Sequence, residues 1–540
     1  MLPLLANTLL LCMSVLAIAV PAGSATAWVG FAFDWPGRRI ALAALIGWLA
    51  LPLYLQAAAW DAAVGRQGWL GPVLGMGGAP LLDGWPAAIV YHALVAWPWV
   101  AAIVGLGLRA VEPELVDMAL LDGPPTLAAW RVLLPRVRGS LWVAAAWVVA
   151  QVSGEMTITD MFRIRTFAEV LYSDFALDPD PARAALRLAP GVGLIALIVL
   201  VMLRLAAPWH AGPRQLVRKS PSAGRFYASH SSASHSSARH SSASHSSARH
   251  SSASHFLQRL WSRERWPTGI RLGLSLSLLI GVAVLVPLGS LVWKLGGVAI
   301  PVDGGWVRRW SPAHAALVLG GTPWEFRGEF GWTFAMGGLT ALVVLLIVPA
   351  AVWHLRAYPC WMALAFSTGA FLAALPGPSF AIVLAAVRLS PALPGWLAQP
   401  LDLVAEQSLF FVVLALAVRA APLCGAVAWQ AWRTVPRELL DSATLDGLGP
   451  WRQFFAIAVP IRRRTLVAIG LLAWCLAAGD LTSSVLLAPA RVSPVAVRTF
   501  QLIHAGVDDR LAGLCLVSLA VFGILASGFH VLTRRDRLWE

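Results

Sequence analysis

Lysine is nearly absent. Of the 41 basic residues, only Lys219 and Lys294 are lysines. A phosphate-binding loop of the form G-x-x-x-x-G-K-[ST] uses its lysine and backbone N–H groups to hold phosphates. Neither lysine follows such a glycine pattern, so the chain is not expected to hydrolyse nucleotide itself. No hydrolase constellation stands out either. Charge is scarce as well, at 13% of residues against about 25% in soluble domains. The five cysteines (Cys12, Cys360, Cys424, Cys475, Cys515) stand singly, with no C-x-x-C. That gives no support to a disulfide framework or a zinc site, and small apolar packing roles are expected. No cofactor or resident metal is expected. Finally, no Lys or Arg precedes the first apolar run. A cleavable signal peptide normally carries such a charge, so this run is expected to remain as a membrane span.

What the chain has instead is apolar length. It is 58% hydrophobic with a mean hydropathy of +0.70. Apolar runs of about 20 residues, enough to cross a bilayer, recur near 4–22, 40–60, 86–108, 140–158 and 188–205. A second set lies near 271–293, 332–354, 360–387, 403–428, 465–487 and 511–532. Backbone groups in lipid must bond within their own segment, so continuously apolar runs are helices. The expectation is an all-α polytopic membrane protein of about eleven spans, five and then six.

Arginine sets the orientation. With the N-terminus outside, inner segments hold Arg38, Arg39, Arg109, Arg131, Arg136, Arg138, the 204–271 stretch, Arg356, Arg419 to Arg464 and the tail. The positive-inside bias then favours N-out and C-in. The formal net charge of +14 follows from this topology. Scattered loop arginines form no single basic face, so nucleic acid is not an expected partner.

A decapeptide returns. ELVDMALLDG (114–123) and ELLDSATLDG (438–447) share Glu, Leu, Asp, Ala, Leu, Asp and Gly at equivalent places. Both copies fall in inner loops, 109–139 and 429–464. At nearly the same offset, Leu51-Pro52 matches Leu375-Pro376, and Gly154-Glu155-Met156-Thr157 matches Gly479-Asp480-Leu481-Thr482. Arg165-Thr166-Phe167 matches Arg498-Thr499-Phe500 slightly further on. A near-constant offset over this length marks a duplicated unit. An even number of spans separates equivalent positions, so this is a parallel repeat. The units are 1–206 and 270–540, the second with an extra helix in front at 271–293. Between them, 207–269 includes a Ser/Ala/His pentad repeat with histidines at 230, 235, 240, 245, 250 and 255. Such a composition cannot bury a core and reads as a flexible cytoplasmic tether. His-rich tracts can bind metals, but the pentad has no tetrahedral ligand spacing.

In the second decapeptide, Glu438, Asp441 and Leu445 are spaced for one helical face, and Ala443 is small enough to let a partner's backbone approach. Gly447 then ends the helix, as glycine does just past a helix terminus. Each loop reads as a short helix, a glycine turn, a second amphipathic helix and a proline, Pro135 or Pro460, before the next span.

These residues resemble the "EAA" loop, E-A-A-x-x-x-G-x9-I-x-L-P, of binding-protein-dependent ABC importer permeases. The second copy reads Asp441-Ser442-Ala443-x-x-x-Gly447, then Ile457-x-Val459-Pro460. The first reads Asp117-Met118-Ala119-x-x-x-Gly123, one residue short of the spacing to Pro135. Both have Asp for the first Glu, and neither keeps the first Ala. The fused layout, with Trp35-Pro36-Gly37-Arg38-Arg39 and Val497 to Ile503, is most similar to ferric-iron-type and thiamine-type permeases. Members usually carry six helices per half, and here the first half lacks one. The resemblance implies a bacterial inner-membrane permease with two cytoplasmic ABC ATPase subunits and an extracytoplasmic substrate-binding protein as partners. It implies that Glu114, Asp117, Ala119, Asp122, Gly123, Glu438, Asp441, Ala443, Asp446 and Gly447 couple to the ATPases. An ion-coupled secondary transporter or a polytopic membrane enzyme would also fit the composition, but neither needs the paired loop.

Glu155 and Asp480 sit deep in their spans at equivalent places. An ionisable group within a span is costly and by default a functional candidate. Both are expected to face the translocation pathway; the bland alternative is that the spans end early.

Overall fold

The computed structural model describes residues 2–32, 35–49, 51–65, 68–74, 80–109, 111, 118, 133–177, 181–210, 266–302, 305–375, 377–388, 393–506 and 508–535. It is an all-α membrane protein with one small hairpin. Residues 211–265, most of the expected tether, lie outside the described residues. At its two edges the chain is helical, with one helix running on to His210 and the next beginning at Trp266.

The N-terminal part consists of α1 (Leu2–Ala32), α2 (Arg38–Leu49), α3 (Leu53–Val64), α4 (Leu70–Val73), α5 (Gly84–Arg109), α6 (Leu134–Ser153), α7 (Thr157–Met161), α8 (Phe167–Leu177) and α9 (Pro181–His210). The C-terminal part opens with α10 (Trp266–Leu295), the antiparallel hairpin β1 (Gly297–Val302) and β2 (Gly305–Trp310), and α11 (Pro312–Glu325). It continues with α12 (Arg327–Leu355), α13 (Pro359–Ala374), α14 (Gly377–Arg388), α15 (Gly395–Gln407), α16 (Phe410–Arg433), α17 (Arg437–Leu445) and α18 (Pro450–Gln453). After a π-helical turn over Phe454–Ala458 come α19 (Val459–Ile461), α20 (Arg463–Ala478), α21 (Leu481–Leu487), α22 (Val495–Ala505) and α23 (Asp508–Arg535).

Among the described residues, seven helices are long and apolar enough to span a membrane, or nine if each of two bent pairs is one span. The expected eleven straight spans differ from this at their breaks. The run near 40–60 is not one helix: α2 and α3 meet at 110°. Pro52 sits at the corner, with no N–H for the helical ladder and a bias of its predecessor away from the α region. The run near 465–487 likewise bends by 62° between α20 and α21, at Gly479-Asp480. The run near 360–387 divides into α13 and α14 after Leu375, which has extended backbone (ψ 133°).

The two parts interlock. α3, from the N-terminal part, contributes Tyr54, Leu55 and Ala59 to a core shared with Trp474, Leu481 and Cys515 of the C-terminal part. α14, from the C-terminal part, sends Ile382 and Ala385 into a core with Phe167, Leu171 and Ile195 of the N-terminal part. α10 also crosses over. Trp35 Nε1 donates to Ser277 Oγ at 2.7 Å, and Trp69 Nε1 donates to Ser290 Oγ at 2.8 Å. The outward faces are apolar, with Leu278, Leu285, Leu346 and Ile347 exposed, as lipid contact requires of helices without a polar face.

Candidate functional site

The second decapeptide forms a projecting helix. α17 spans nine residues and its exposed side carries Glu438, Leu439, Asp441, Leu445 and Asp446. The chain leaves it through Gly447 at φ +78°, a left-handed conformation that favours glycine. There Leu448 N–H donates to the Ala443 carbonyl at 2.9 Å, closing the helix end in the manner of a C-terminal cap. Ala443 differs from the expectation. It is buried, so the small side chain lies on the face of α17 turned toward the rest of the chain.

That scaffold is built for rigidity. Gln453 Nε2 donates to Thr444 Oγ1 and to the Leu448 carbonyl, both at 2.9 Å. Trp353 Nε1 donates to the Pro450 carbonyl at 3.0 Å. The Arg462 guanidinium donates to the Thr434 carbonyl at 2.6 Å, joining the two ends of the loop. Beneath lie Trp353, Trp432 and Phe454, packed edge-on or tilted at centroid distances of 5.6 Å, with the Arg356 guanidinium over the Trp353 ring. Trp451 and Phe455 remain exposed beside α17. The first decapeptide, with Glu114, Asp117, Ala119, Asp122 and Gly123, lies outside the described residues apart from Met118.

At the other end of α20, about 24 Å away at ~1.5 Å per residue, lies the second feature. Asp480 caps α21: its Oδ1 accepts from Ser483 N–H at 2.8 Å and from Thr482 Oγ1 at 3.0 Å. Glu155 does the same for α7, its carboxylate accepting from the N–H groups of Thr157 and Ile158. Carboxylates suit such positions because the first N–H groups of a helix have no internal partner. Both side chains are nearly buried, at 9% and 8% exposed.

Each acid also meets a base from a neighbouring helix. Glu155 Oε2 is 3.4 Å from His92 Nε2 of α5. The other ring nitrogen, Nδ1, sits 2.8 Å from the Ala88 carbonyl and so serves as donor there. Asp480 Oδ2 is 2.9 Å from Arg419 Nε of α16. The charge pattern places Arg419 with an inner loop; it stands instead well inside α16. The helices break at both acids, and the acids meet helix ends and bases. The narrow crevice beside Arg419, lined by Leu372, Leu375, Phe380 and Val418, has no room for a water molecule.

Sequence reasoning missed His92, Arg419 and Gly377. A single ionisable residue inside an apolar run was the available signal for the first two. No group of His, Cys, Asp and Glu that could hold a metal occurs among the described residues. No family model matches the chain, and no curated protein matches it.

Proposed function

We propose that the chain is the transmembrane subunit of an ATP-driven, binding-protein-dependent importer in a bacterial inner membrane, N-terminus outside and C-terminus cytoplasmic. The observation that carries this reading is α17, a polar helix held away from an apolar body on a rigid aromatic scaffold and ended by the left-handed Gly447. A lever needs those properties: an exposed face to be gripped, and stiff attachment to a span. α17 would seat in a groove on one cytoplasmic ATPase, and the first decapeptide on a second. The exchange of α3 and α14 between the two parts supports descent from a duplicated unit. ATP-driven closure of the motors would bring the levers together and open the spans toward a loaded binding protein. Ferric iron, or thiamine, is the proposed cargo on the strength of the sequence resemblance.

A second reading is an ion-coupled secondary transporter. It is favoured by the buried His92–Glu155 pair and by the nearly buried Asp480 against a partly exposed Arg419, since ionisable groups within spans often mark ion pathways.

Purification of the tagged chain from its native membrane separates the two. The expected result is a co-purifying ATPase whose recovery falls sharply in Gly447→Val, while the variant's thermal stability holds. A β-branched residue at φ +78° is strained by about 1–2 kcal/mol, enough to displace the lever without unfolding the spans. Full ATPase recovery with Gly447→Val would overturn the coupling role of this turn. Uptake by the chain alone, driven by an ion gradient, would establish the second reading.

A further inference from the structure

Arg419 has more partners than a neutralised charge requires. Its Nε faces Asp480 Oδ2 at 2.9 Å. Its Nη1 donates to Thr482 Oγ1 at 2.9 Å and to the Gly377 carbonyl at 3.1 Å. Gly377 N–H in turn donates to the Gly154 carbonyl at 3.0 Å, and Gly154 is the last residue before Glu155. A continuous chain of hydrogen bonds therefore runs from the α20–α21 break of the C-terminal part to the α6–α7 break of the N-terminal part. Arg419 stands at its middle.

The approach at Gly377 is close. A Cβ there would lie 2.6 Å from Thr482 Oγ1 and 2.9 Å from the Gly154 carbonyl oxygen. Gly377 also begins α14, whose Ile382 and Ala385 are embedded in the N-terminal part. So the residue that Arg419 holds is the entry point of an element inserted across the interface. The planar guanidinium suits this task, because it offers several donors in fixed directions where an ammonium offers a point charge.

We propose that Arg419 is a positioning residue for the transport stroke: it locks the two helix breaks together through Gly377, so that both must rearrange in one step. This rests on the transport reading above and adds to it a named mechanical link within the membrane. Among the described residues, no arginine pairs with the acid of the N-terminal break. Its acid meets His92, and on the opposite side Gly479 abuts Pro52, where an added Cβ would lie 3.4 Å from the Pro52 side chain. The lock is thus one-sided.

The test uses the full complex in proteoliposomes with its binding protein, supplied with radiolabelled ferric iron and, in a parallel arm, radiolabelled thiamine. ATP hydrolysis and uptake are measured together for the wild type, Arg419→Met, Arg419→Lys and Thr482→Val. Arg419→Met is expected to lower uptake per ATP hydrolysed by about tenfold, within the range that coupling free energies span, while hydrolysis stays high. Arg419→Lys, which keeps the charge and loses the fork, should fall between it and the wild type, and Thr482→Val should show the smallest change. A merely structural role would lower hydrolysis and uptake in parallel, and that result would overturn the proposal.

A second measurement needs no ATPase. Spin labels at Ile40→Cys and Leu445→Cys, exposed positions on the two parts, are placed in a Cys360→Ser background of the purified chain. Their distance distribution should broaden in Arg419→Met and Arg419→Lys. An unchanged distribution in both would also overturn the proposal. A broadened distribution in a chain whose wild type shows no ATP-driven uptake would sink the transport reading and leave the lock standing.

Discussion

The two helix breaks solve the same problem with different bases. In each, an acid after a glycine caps a short helix inside an apolar body, and a base comes from the long helix alongside. On the N-terminal side the acid is Glu155 and the base is His92 of α5. On the C-terminal side they are Asp480 and Arg419 of α16. Guanidinium offers a fork of donors that can reach several partners at once, whereas imidazole offers one nitrogen on each side of its ring. The bases also do not match in sequence: the offset that aligns the acids puts His92 opposite Ala417, two residues before Arg419. A repeated acid therefore does not imply a repeated job. The cap is common to both breaks, and the clasp to the other part is found at Arg419.

A second contrast lies in α10, the long helix that opens the C-terminal part. A buried ion pair fastens this helix: Lys294 Nζ lies 3.0 Å from Asp508 Oδ1 of α23, with side chains 5% and 13% exposed. Lys294→Met should destabilise the chain more than any single substitution at the breaks. Removing one partner of a buried pair costs up to about 3–5 kcal/mol. Replacing both, as Lys294→Met with Asp508→Leu, should recover most of that loss, because a well-packed apolar pair can equal a buried ion pair. The readout is the temperature at which a thiol-reactive dye reaches the buried Cys424 and Cys515. A double variant as unstable as the single one would show that the pair does not act as a unit.

The breaks themselves can be compared by adding one methyl group to each. Gly377→Ala places a Cβ 2.9 Å from the Gly154 carbonyl oxygen, so backbone must shift. Overpacking of this kind costs about 1–3 kcal/mol. Gly479→Ala places its Cβ 3.1 Å from the Cys475 carbonyl and 3.4 Å from Pro52, with an ordinary φ of −84°. The expected cost there is smaller, below about 1 kcal/mol. Equal destabilisation by the two substitutions would remove the asymmetry on which the one-sided lock depends.

Much of this was legible in the sequence, because hydropathy and glycine placement act locally. The long apolar runs became long helices, and the decapeptide at 438–447 became a helix stopped at Gly447. What escaped was set by contacts between distant segments or by backbone direction inside uniformly apolar runs. A hydropathy window averages over Leu51-Pro52 and so reads one span where α2 and α3 turn by 110°. The capping role of Asp480 was available from Asp followed by a short helix with Ser483 at its third position. Its arginine was not, since Arg419 lies 61 residues earlier, on another helix. Ala443 reads outward from sequence because helical spacing fixes which residues share a face and leaves open which face meets the protein.

The weakest of these contacts joins the two parts outside the spans. His504 Nε2 of α22 lies 2.9 Å from Asp160 Oδ2 of α7, with side chains 45% and 30% exposed. The hydrogen bond that Nε2 donates to the Asp160 carboxylate raises the imidazole above its usual value of 6.5, partial burial opposes this, and the Phe500 carbonyl accepting from Nδ1 adds to it. The neighbouring α8 contributes Glu169 and Tyr172, both pushed up by burial and then by the Asp160 charge, so Asp160 is the local centre of negative charge. A group whose pKa is raised by folding adds stability that is complete below its unfolded value and disappears as pH climbs through the folded value. The clasp should therefore be in place below 6.5 and loosen above it. For a pair this exposed the effect is screened and below about 1 kcal/mol. Comparing the unfolding temperatures of the wild type and His504→Asn at about pH 6 and about pH 8.5 isolates the imidazole charge. The wild type should lead at the lower pH, and the gap should close at the higher one. A gap that stays constant or widens with pH would show that the charged form of His504 contributes nothing to holding the two parts together.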